Sequence, residues 1–297
     1  DAVIESMDVS TIYEVPILMQ KEGLDKIVLR KLNIKCNKKP NLTKWKKFLN
    51  GLQNPKKEIT IGLVGKYVTL QDAYKSISEA IIHAGADKSC KINVEWINAE
   101  EISIKNLSSK LSHLQGLIVA PGFGDRGIDG KILAIQFVRE NNIPFFGICL
   151  GMQSAVIEFA RNVVGLKNAN STEMDSKTNY PVIDLMNEQK GITKKGGTMR
   201  LGAYDCKLKI KSNIYDAYKK GYISERHRHR YEFNNNYLEK LEKFGLVSSG
   251  INKKNNLVEA IEILNHKWFV GVQFHPEYKS TVSDPHPLFK AFVKASL

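Results

Sequence analysis

Residues 143–165 have the sequence IPFFGICLGMQSAVIEFARNVVG, and this stretch decides the fold. It opens with an apolar run of strand length and continues, from Gly151 on, with the apolar spacing of a helix. Glycines mark the point where the strand pattern gives way to the helix pattern. A buried strand that leads directly into a helix is typical of a parallel sheet whose strands are joined by helices.

The same alternation extends on both sides of this stretch. It predicts a mostly parallel sheet with helices on both faces, and in such sheets the reactive groups lie at the carboxyl ends of the strands. We expect the helix over 70–85 to stop at Gly85. Residues 166–265 are less regular. The other strand patterns cover 58–65, 91–97, 114–124 and 267–274, and the other helix patterns cover 130–142 and 287–296.

Residues 1–57 differ in character from the rest of the chain. They contain a helical pattern at 9–21 and a lysine-rich polar run with a short amphipathic helix at 42–52. These pieces are too small to form a core alone. We interpret 1–57 as the tail of a preceding domain plus a linker, and 58–297 as the main domain. Because the first residue is Asp1 and not Met, we expect a fragment of a longer protein.

Composition excludes several classes of protein. The 297 residues are 42% hydrophobic and 25% charged, as in ordinary globular proteins. Cys36, Cys90, Cys149 and Cys206 are far apart, so they predict neither a zinc site nor a disulfide framework. Reduced thiols favour a cytoplasmic location. No stretch has the length and apolarity of a transmembrane helix or the layout of a secretory signal, so we expect no membrane contact.

The net charge is +13, from 44 basic and 31 acidic residues. Such a charge is compatible with nucleic-acid binding, with a lysine-rich surface or with a phosphate-rich partner. The lysines are spread along the whole chain, and no nucleic-acid-binding motif accompanies them. We therefore expect no nucleic-acid partner.

A Gly-x-Cys-x-Gly motif surrounds Cys149, from Gly147 to Gly151. This spacing is the thiol version of a nucleophile elbow, a sharp turn from a strand into a helix. The helix N-terminus would favour the thiolate, and the N–H of Leu150 would donate to an oxyanion. The alternative is a buried cysteine with a purely structural role.

His275 and Glu277 lie just after the apolar run 267–274. A thiol nucleophile requires a general base, and the base requires a group that orients it. Pro276 between them fixes the chain direction, so Glu277 could reach back to the imidazole. The alternative is an ordinary histidine in a turn at the end of a strand.

The stretch PGFGDRG at 121–127 follows another buried strand. Glycines allow the backbone to approach a ligand and allow a peptide unit to flip. Gly122 could therefore supply a second oxyanion donor, whereas Pro121 has no N–H. A nucleotide-binding P-loop is the alternative, but no Lys-Ser or Lys-Thr follows the glycines.

These motifs together resemble the class I glutamine amidotransferases, whose fold is a flavodoxin-like three-layer α/β sandwich. More narrowly, the chain is similar to the C-terminal part of the CTP synthase family. The resemblance covers nearly the whole chain, and its specific stretches are IYEVPILMQKEGLDKIVLRKL, GLVGKYVTLQDAYKSI, NANSTEM, GGTMRLGAY, ERHRHRYEFN and VQFHPEYKSTVSDPHPLF.

The resemblance implies roles for individual residues. Cys149 would be the nucleophile of a Cys-His-Glu triad with His275 and Glu277. The glutamine site would be lined by Gly122, Leu150, Gly151, Met152, Gln153, Glu173 and Arg230. Arg200 would be a possible effector residue for GTP. The alternatives are that Glu173 caps a turn and that Arg200 belongs to a solvated charged segment.

The resemblance also implies partners beyond this chain. CTP synthases carry an N-terminal synthetase domain that binds ATP, UTP and magnesium, and this chain lacks most of it. We expect no cofactor or metal in the chain itself, GTP as a possible allosteric activator, and a homo-oligomer, a tetramer, for the full-length protein. Many family members have Pro-Gly-Gly-Phe-Gly where this chain has APGFG at 120–124.

The implied activity is hydrolysis of L-glutamine to glutamate and ammonia, with the ammonia serving ATP-dependent amination of UTP to CTP in the full-length enzyme. Two alternatives remain open. The domain could bind glutamine or dock on a separate synthetase with little turnover. It could also keep the fold and act on another amide.

Overall fold

The computed structural model describes residues 2–185 and 199–297. The strands within these residues are β1 (Lys57–Gly65), β2 (Cys90–Asn98), β3 (Gly116–Val119), β4 (Phe145–Ile148), β5 (Asn170–Ser171), β6 (Pro181–Leu185), β7 (Arg200–Leu208), β8 (Tyr222–His229), β9 (Tyr231–Phe233), β10 (Leu246–Asn252), β11 (Leu257–Ile263) and β12 (Phe269–Val272). The helices are α1 (Val15–Lys21), α2 (Leu24–Lys31), α3 (Thr43–Gln53), α4 (Lys75–Asp87), α5 (Leu107–Leu111), α6 (Ile128–Glu140), α7 (Leu150–Asn162), α8 (Asn213–Tyr218), α9 (Leu238–Lys243) and α10 (Pro287–Ser296). None of these helices is long and apolar enough to cross a lipid bilayer.

The main sheet has the strand order β2-β1-β3-β4-β12-β11-β10-β7-β8. Its first five strands pair in parallel, and the remaining pairs are antiparallel. In the parallel half, the long helix α4 connects β1 to β2 and the long helix α6 connects β3 to β4. By contrast, β10 and β11 are joined by a short turn that permits only antiparallel pairing. A second, three-stranded sheet has the order β5-β6-β9. The parallel arrangement predicted around residues 143–165 is confirmed.

Both faces of the main sheet are covered by helices. Two consecutive residues of β4 point to opposite faces, as strand geometry requires. Phe145 stacks on Phe269 at a ring-centroid distance of 4.2 Å in the core that α6 and α7 cover. Phe146 packs edge-on against Phe289 at 5.2 Å in the core that α4 and α10 cover. The expected three layers are therefore present.

The N-terminal segment packs on the main domain through one small core. Tyr13, Phe48 and Leu49 are buried there against Ala86 at the end of α4. By contrast, α1 and α2 bury no residue fully. The helix predicted at 42–52 corresponds to α3, but α2 was not predicted. The segment before β1 is thus partly docked and partly exposed.

The predicted stop of a helix at Gly85 is wrong. Helix α4 continues to Asp87, and Ser89 takes the left-handed conformation with φ 47° that ends the turn. A Cβ on Gly85 would lie 2.8 Å from the carbonyl oxygen of Cys90. The glycine is therefore explained by close packing of α4 against β2, and not by helix termination.

Candidate active site

Cys149 lies on the sharp turn between β4 and α7. Its φ of 52° and ψ of −104° place it in a strained conformation that non-glycine residues rarely adopt. The flanking glycines make this turn possible. A Cβ on Gly147 would lie 2.8 Å from the backbone of Gly151, and a Cβ on Gly151 would collide with the carbonyl oxygen of Val119. The nucleophile elbow predicted from the sequence has the expected local geometry.

The Cys149 side chain is 3% exposed and sits at the N-terminus of α7. The backbone N–H of Leu150, the first residue of α7, belongs to the unpaired first turn of the helix. Gln273, at the end of β12, donates from Nε2 to Cys149 Sγ at 3.5 Å. The sulfur is therefore buried at a helix N-terminus and accepts a hydrogen bond from Gln273.

His275 and Glu277 follow β12, which lies beside β4 in the sheet. His275 Nδ1 is 2.8 Å from Glu277 Oε1, and both side chains are buried. His275 Nε2 has no hydrogen-bond partner within 2–185 and 199–297. Burial by itself lowers the pKa of His275, but the charge of Cys149 and the contact with Glu277 raise this pKa to about 11. The imidazolium is therefore the favoured state of the His275 ring.

The glycine loop, residues 120–124, lies at the end of β3, between β1 and β4. Two lysines donate to its backbone carbonyls. Lys131 Nζ, from α6, donates to the Ala120 carbonyl at 2.9 Å, and Lys66 Nζ, from the end of β1, donates to the Phe123 carbonyl. A Cβ on Gly122 would lie 3.4 Å from Leu150 Cδ2, so the loop and the elbow are in contact.

A small pocket opens above the sulfur. Five residues that the sequence predicted for the site line it together, and four further side chains complete it. The predicted five are Gly122, Cys149, Gln153, Glu173 and Arg230, and the others are Phe123, Met199, His229 and Tyr231. Glu173 Oε1 accepts a hydrogen bond from the Gly124 N–H at 2.9 Å, which ties the NSTEM turn to the glycine loop.

The elbow residues beyond Cys149 divide into two groups. Gln153 borders the pocket, but its Nε2 also donates to the Tyr231 carbonyl at 3.0 Å and to Gln273 Oε1 at 3.1 Å. Leu150, Gly151 and Met152 are not among the residues that line the pocket. Met152 is fully buried against Gly271, so its side chain is not placed to contact a ligand there.

Arg200 lies inside the protein, with 4% of its surface exposed. Its guanidinium donates to Glu232 Oε1 at 3.1 Å and to Glu259 Oε1 at 2.8 Å, and both carboxylates are buried. The solvated position considered for Arg200 is therefore wrong. A direct contact with an effector would require this cluster to open. Residues 196–198 of the GGTMRLG motif lie outside the described residues.

Two histidines of the RHRHR run extend this buried cluster. His227 Nδ1 is 2.8 Å from His229 Nε2, and His227 also faces Glu259. Burial and the charge of Arg200 lower the pKa of His227 to about 2, so its ring is neutral. Among the described residues, His227, His229 and Glu259 are the one group close enough to share a metal ion. We assign no metal to them, since the two rings hydrogen-bond each other and Arg200 neutralises Glu259.

Sequence reasoning missed two polar residues near the sulfur. Gln273 is a buried amide in the apolar run 267–274, and that exception was a usable signal. Lys131 is 0% exposed on α6, and nothing in the helix pattern distinguishes it from a surface lysine. Their positions depend on tertiary contacts that spacing alone does not encode.

Comparisons with known proteins identify the family of the chain. The family model for class I glutamine amidotransferases matches residues 69–295. CTP synthases from Christiangramia forsetii and Cytophaga hutchinsonii are 60% and 59% identical to this chain over 296 residues. Those alignments cover 100% of this chain but 54% and 55% of the relatives, so the chain spans about half their length.

A solved structure matches the fold along most of the main domain. It is the glutaminase domain of Trypanosoma brucei CTPS with bound acivicin, which is 38% identical to this chain with a TM-score of 0.76. The match covers 80% of this chain and 93% of that one. The predicted flavodoxin-like fold is thereby confirmed. The chain belongs to the class I glutamine amidotransferase family, and within that family to the glutaminase domains of CTP synthases.

Proposed function

We propose that the chain hydrolyses the side-chain amide of L-glutamine to glutamate and ammonia. The observation that carries the proposal is the arrangement of a buried thiol on a strained elbow beside a hydrogen-bonded His275–Glu277 pair. Family membership supplies the substrate class. The raised pKa of His275 favours the protonated ring, which can act as the general acid toward the leaving nitrogen.

The reaction follows from these positions. The thiolate of Cys149 attacks the amide carbon, and the carbonyl oxygen becomes an oxyanion. The N–H groups of Leu150 and Gly122 stabilise that oxyanion, each worth on the order of 10²–10³ in rate. His275 gives its proton to the departing nitrogen, which leaves as ammonia and gives a thioester at the sulfur. His275 then accepts a proton from water, which attacks the thioester and releases glutamate.

The pocket explains how glutamine would be oriented. The carboxylate of Glu173 would pair with the substrate ammonium, and Arg230 would pair with the substrate carboxylate, since both side chains line the pocket. The two charges hold the amide end of the substrate over Cys149. Glu173 also fixes the glycine loop through Gly124, so substrate binding and the oxyanion donors are mechanically linked.

The role in a larger enzyme is a further part of the proposal. Because the chain spans about half of its curated relatives, we propose that the ammonia is used by a synthetase region that aminates UTP with ATP and magnesium. The chain alone would release ammonia and form no CTP. GTP activation and tetramer formation would belong to the longer protein.

Replacing Cys149 tests the proposal. The purified chain is incubated with glutamine, and glutamate and ammonia are both measured. Cys149→Ala should reduce turnover to background, because no other group near the pocket can form the thioester. Cys36→Ser is the matched control, since Cys36 is an exposed thiol, and it should retain full activity. Ammonia release by Cys149→Ala at the unmodified rate would contradict the assignment.

A further inference from the structure

Lys131 is a lysine with no exposed surface in the first turn of α6. Burying an ammonium group costs several kcal/mol unless hydrogen bonds and charges compensate for it. An apolar side chain of similar length would fill the same space at lower cost. The position therefore requires an explanation other than packing.

Its contacts point to the glycine loop. Lys131 Nζ donates to the Ala120 carbonyl at 2.9 Å, and a Cβ on Gly122 would lie 3.9 Å from the same nitrogen. Lys66 Nζ binds the Phe123 carbonyl from the other side. Two ammonium groups thus hold the carbonyls that flank the turn of the loop.

With the carbonyls of Ala120 and Phe123 bound by lysines, few peptide units of the glycine loop can rotate freely. Pro121 has no N–H and a fixed φ, and the Gly124 N–H is held by Glu173. The N–H groups of Gly122 and Phe123 donate to no acceptor among residues 2–185 and 199–297. The N–H groups of Gly122 and Phe123, which lie between the two lysine-bound carbonyls, therefore remain available to an oxyanion.

We propose that Lys131 is a positioning residue for glutamine hydrolysis, which holds the Ala120 carbonyl so that the Gly122 N–H faces Cys149 and which places a positive charge beneath the glycine loop. This inference rests on the proposed glutaminase function. Lys131 touches neither the substrate nor the sulfur directly, so it acts through the loop and through its electrostatic field.

The charge of Lys131 depends on pH in a defined direction. Burial lowers the pKa of its ammonium, the nearby charge of Lys66 lowers it further, and the charge of Cys149 opposes them, which leaves a pKa of about 7. The groups whose charges act on it are Lys66, which follows β1, and Cys149, on the elbow before α7. The ammonium is present below that pH and is lost as the pH rises through it, so its support of the oxyanion declines on the alkaline side.

The test replaces Lys131 with Met, which keeps the length and removes the charge and the donor. We expect kcat for glutamine to fall on the order of tenfold or more, with KM changed less than about twofold, because the charge acts on the transition state. The melting temperature should stay equal or rise, since a buried amine has been removed. The decline of kcat through a group near pH 7 in the unmodified chain should disappear in Lys131→Met.

Two further variants separate the possible causes. Lys131→Gln retains an N–H donor for the Ala120 carbonyl without the charge, and it should recover part of kcat while lacking the alkaline decline. It also serves as the test if Lys131→Met does not fold. Lys294→Met, an exposed lysine on α10, should change none of these quantities. If Lys131 had only a structural role, Lys131→Met would lower the melting temperature and leave kcat and its pH profile unchanged. That result would overturn the proposal.

A second readout is independent of turnover. The rate at which iodoacetamide alkylates Cys149 is measured across pH in a Cys36→Ser background, so that the exposed thiol does not contribute. Loss of the positive charge in Lys131→Met should slow alkylation below about pH 7. Slower alkylation of Lys131→Met in a chain that releases no ammonia would contradict the glutaminase function, while it would still show that the charge of Lys131 acts on the sulfur. Equal alkylation and equal kcat would overturn the role of Lys131 alone.

Discussion

At the scale of single residues, the contact between His275 and Glu277 adds to the charge of Cys149 in raising the pKa of the imidazole. Glu277→Gln removes the negative charge that helps to hold the imidazolium, while an oxygen can still accept from Nδ1. We expect kcat to fall by roughly 10²–10⁴, as when the acid of a catalytic triad is neutralised. Steady-state glutaminase assays across pH measure the change. Glu239→Gln, an exposed carboxylate on α9, is the control and should have no effect.

The same residue pair predicts a pH-dependent contribution to stability. The pKa of His275 rises from 6.5 to about 11 on folding, so the protonated ring stabilises the fold fully below 6.5 and this stabilisation is lost as the pH rises through about 11. Glu277→Gln should therefore be less stable than the unmodified chain at about pH 6, and the difference should shrink at high pH. Urea unfolding at several pH values would detect it. A difference that grows with pH would contradict the ion pair.

The residues of the site differ in how visible they were in the sequence. The elbow around Cys149 and the pair formed by His275 and Glu277 depend on local spacing, so motifs could predict their contacts. The family resemblance placed Met152 in the glutamine site, and its side chain is buried against Gly271. Lys131 was invisible because its neighbour, the Ala120 carbonyl, comes from another element.

At the scale of elements, Gly51 allows α3 to approach α4. A Cβ at this position would collide with the carbonyl oxygen of Ala86. Gly51→Ala would favour an isolated helix by about 1 kcal/mol, yet we expect it to destabilise this protein because the two helices must separate. Thermal unfolding shows whether Gly51→Ala lowers or raises the melting temperature. A higher melting temperature in Gly51→Ala would show that the docking of α3 contributes little.

A matched control separates the effect of the clash from the effect of helix propensity. Asn50→Ala, on the exposed side of α3, gains helix propensity without a clash and should be neutral or slightly stabilising. Glutaminase activity should survive in both variants, because α3 packs mainly on α4 and β2, away from the strands that carry Cys149 and His275. A loss of activity in Gly51→Ala without a loss of stability would instead indicate that α3 is coupled to the site.

The elements also differ in how well patterns predicted them. Buried parallel strands give continuous apolar runs, and the helices between them give a clear periodicity, so β1 to β4, α6, α7 and α10 were predictable. The antiparallel half was not, because its edge strands mix polar and apolar residues and its connections are irregular. In β8 the burial alternates, which places the histidines of the RHRHR run inside and the first two arginines outside. The alternation could not be recognised in the sequence, because every residue of the RHRHR run is basic.

At the scale of the whole molecule, Arg200 joins the two sheets. Arg200 is the first residue of β7 in the main sheet. Its side chain pairs with Glu259 on β11 of the same sheet and with Glu232 on β9 of the small sheet. His229 lies between this cluster and the pocket above Cys149. The ion pairs therefore fix the wall of the substrate pocket relative to the strands that carry the thiol.

Removing this arginine should affect stability and substrate affinity together. Arg200→Met leaves two buried carboxylates without their cation, and breaking such a pair costs about 3–5 kcal/mol. We also expect a higher KM for glutamine, because His229 and Arg230 in the pocket wall lose their support. Arg226→Met, an exposed arginine on β8, controls for the loss of charge. If Arg200 served only an effector, Arg200→Met would unfold at the same urea concentration as the unmodified chain and would hydrolyse glutamine with the same KM.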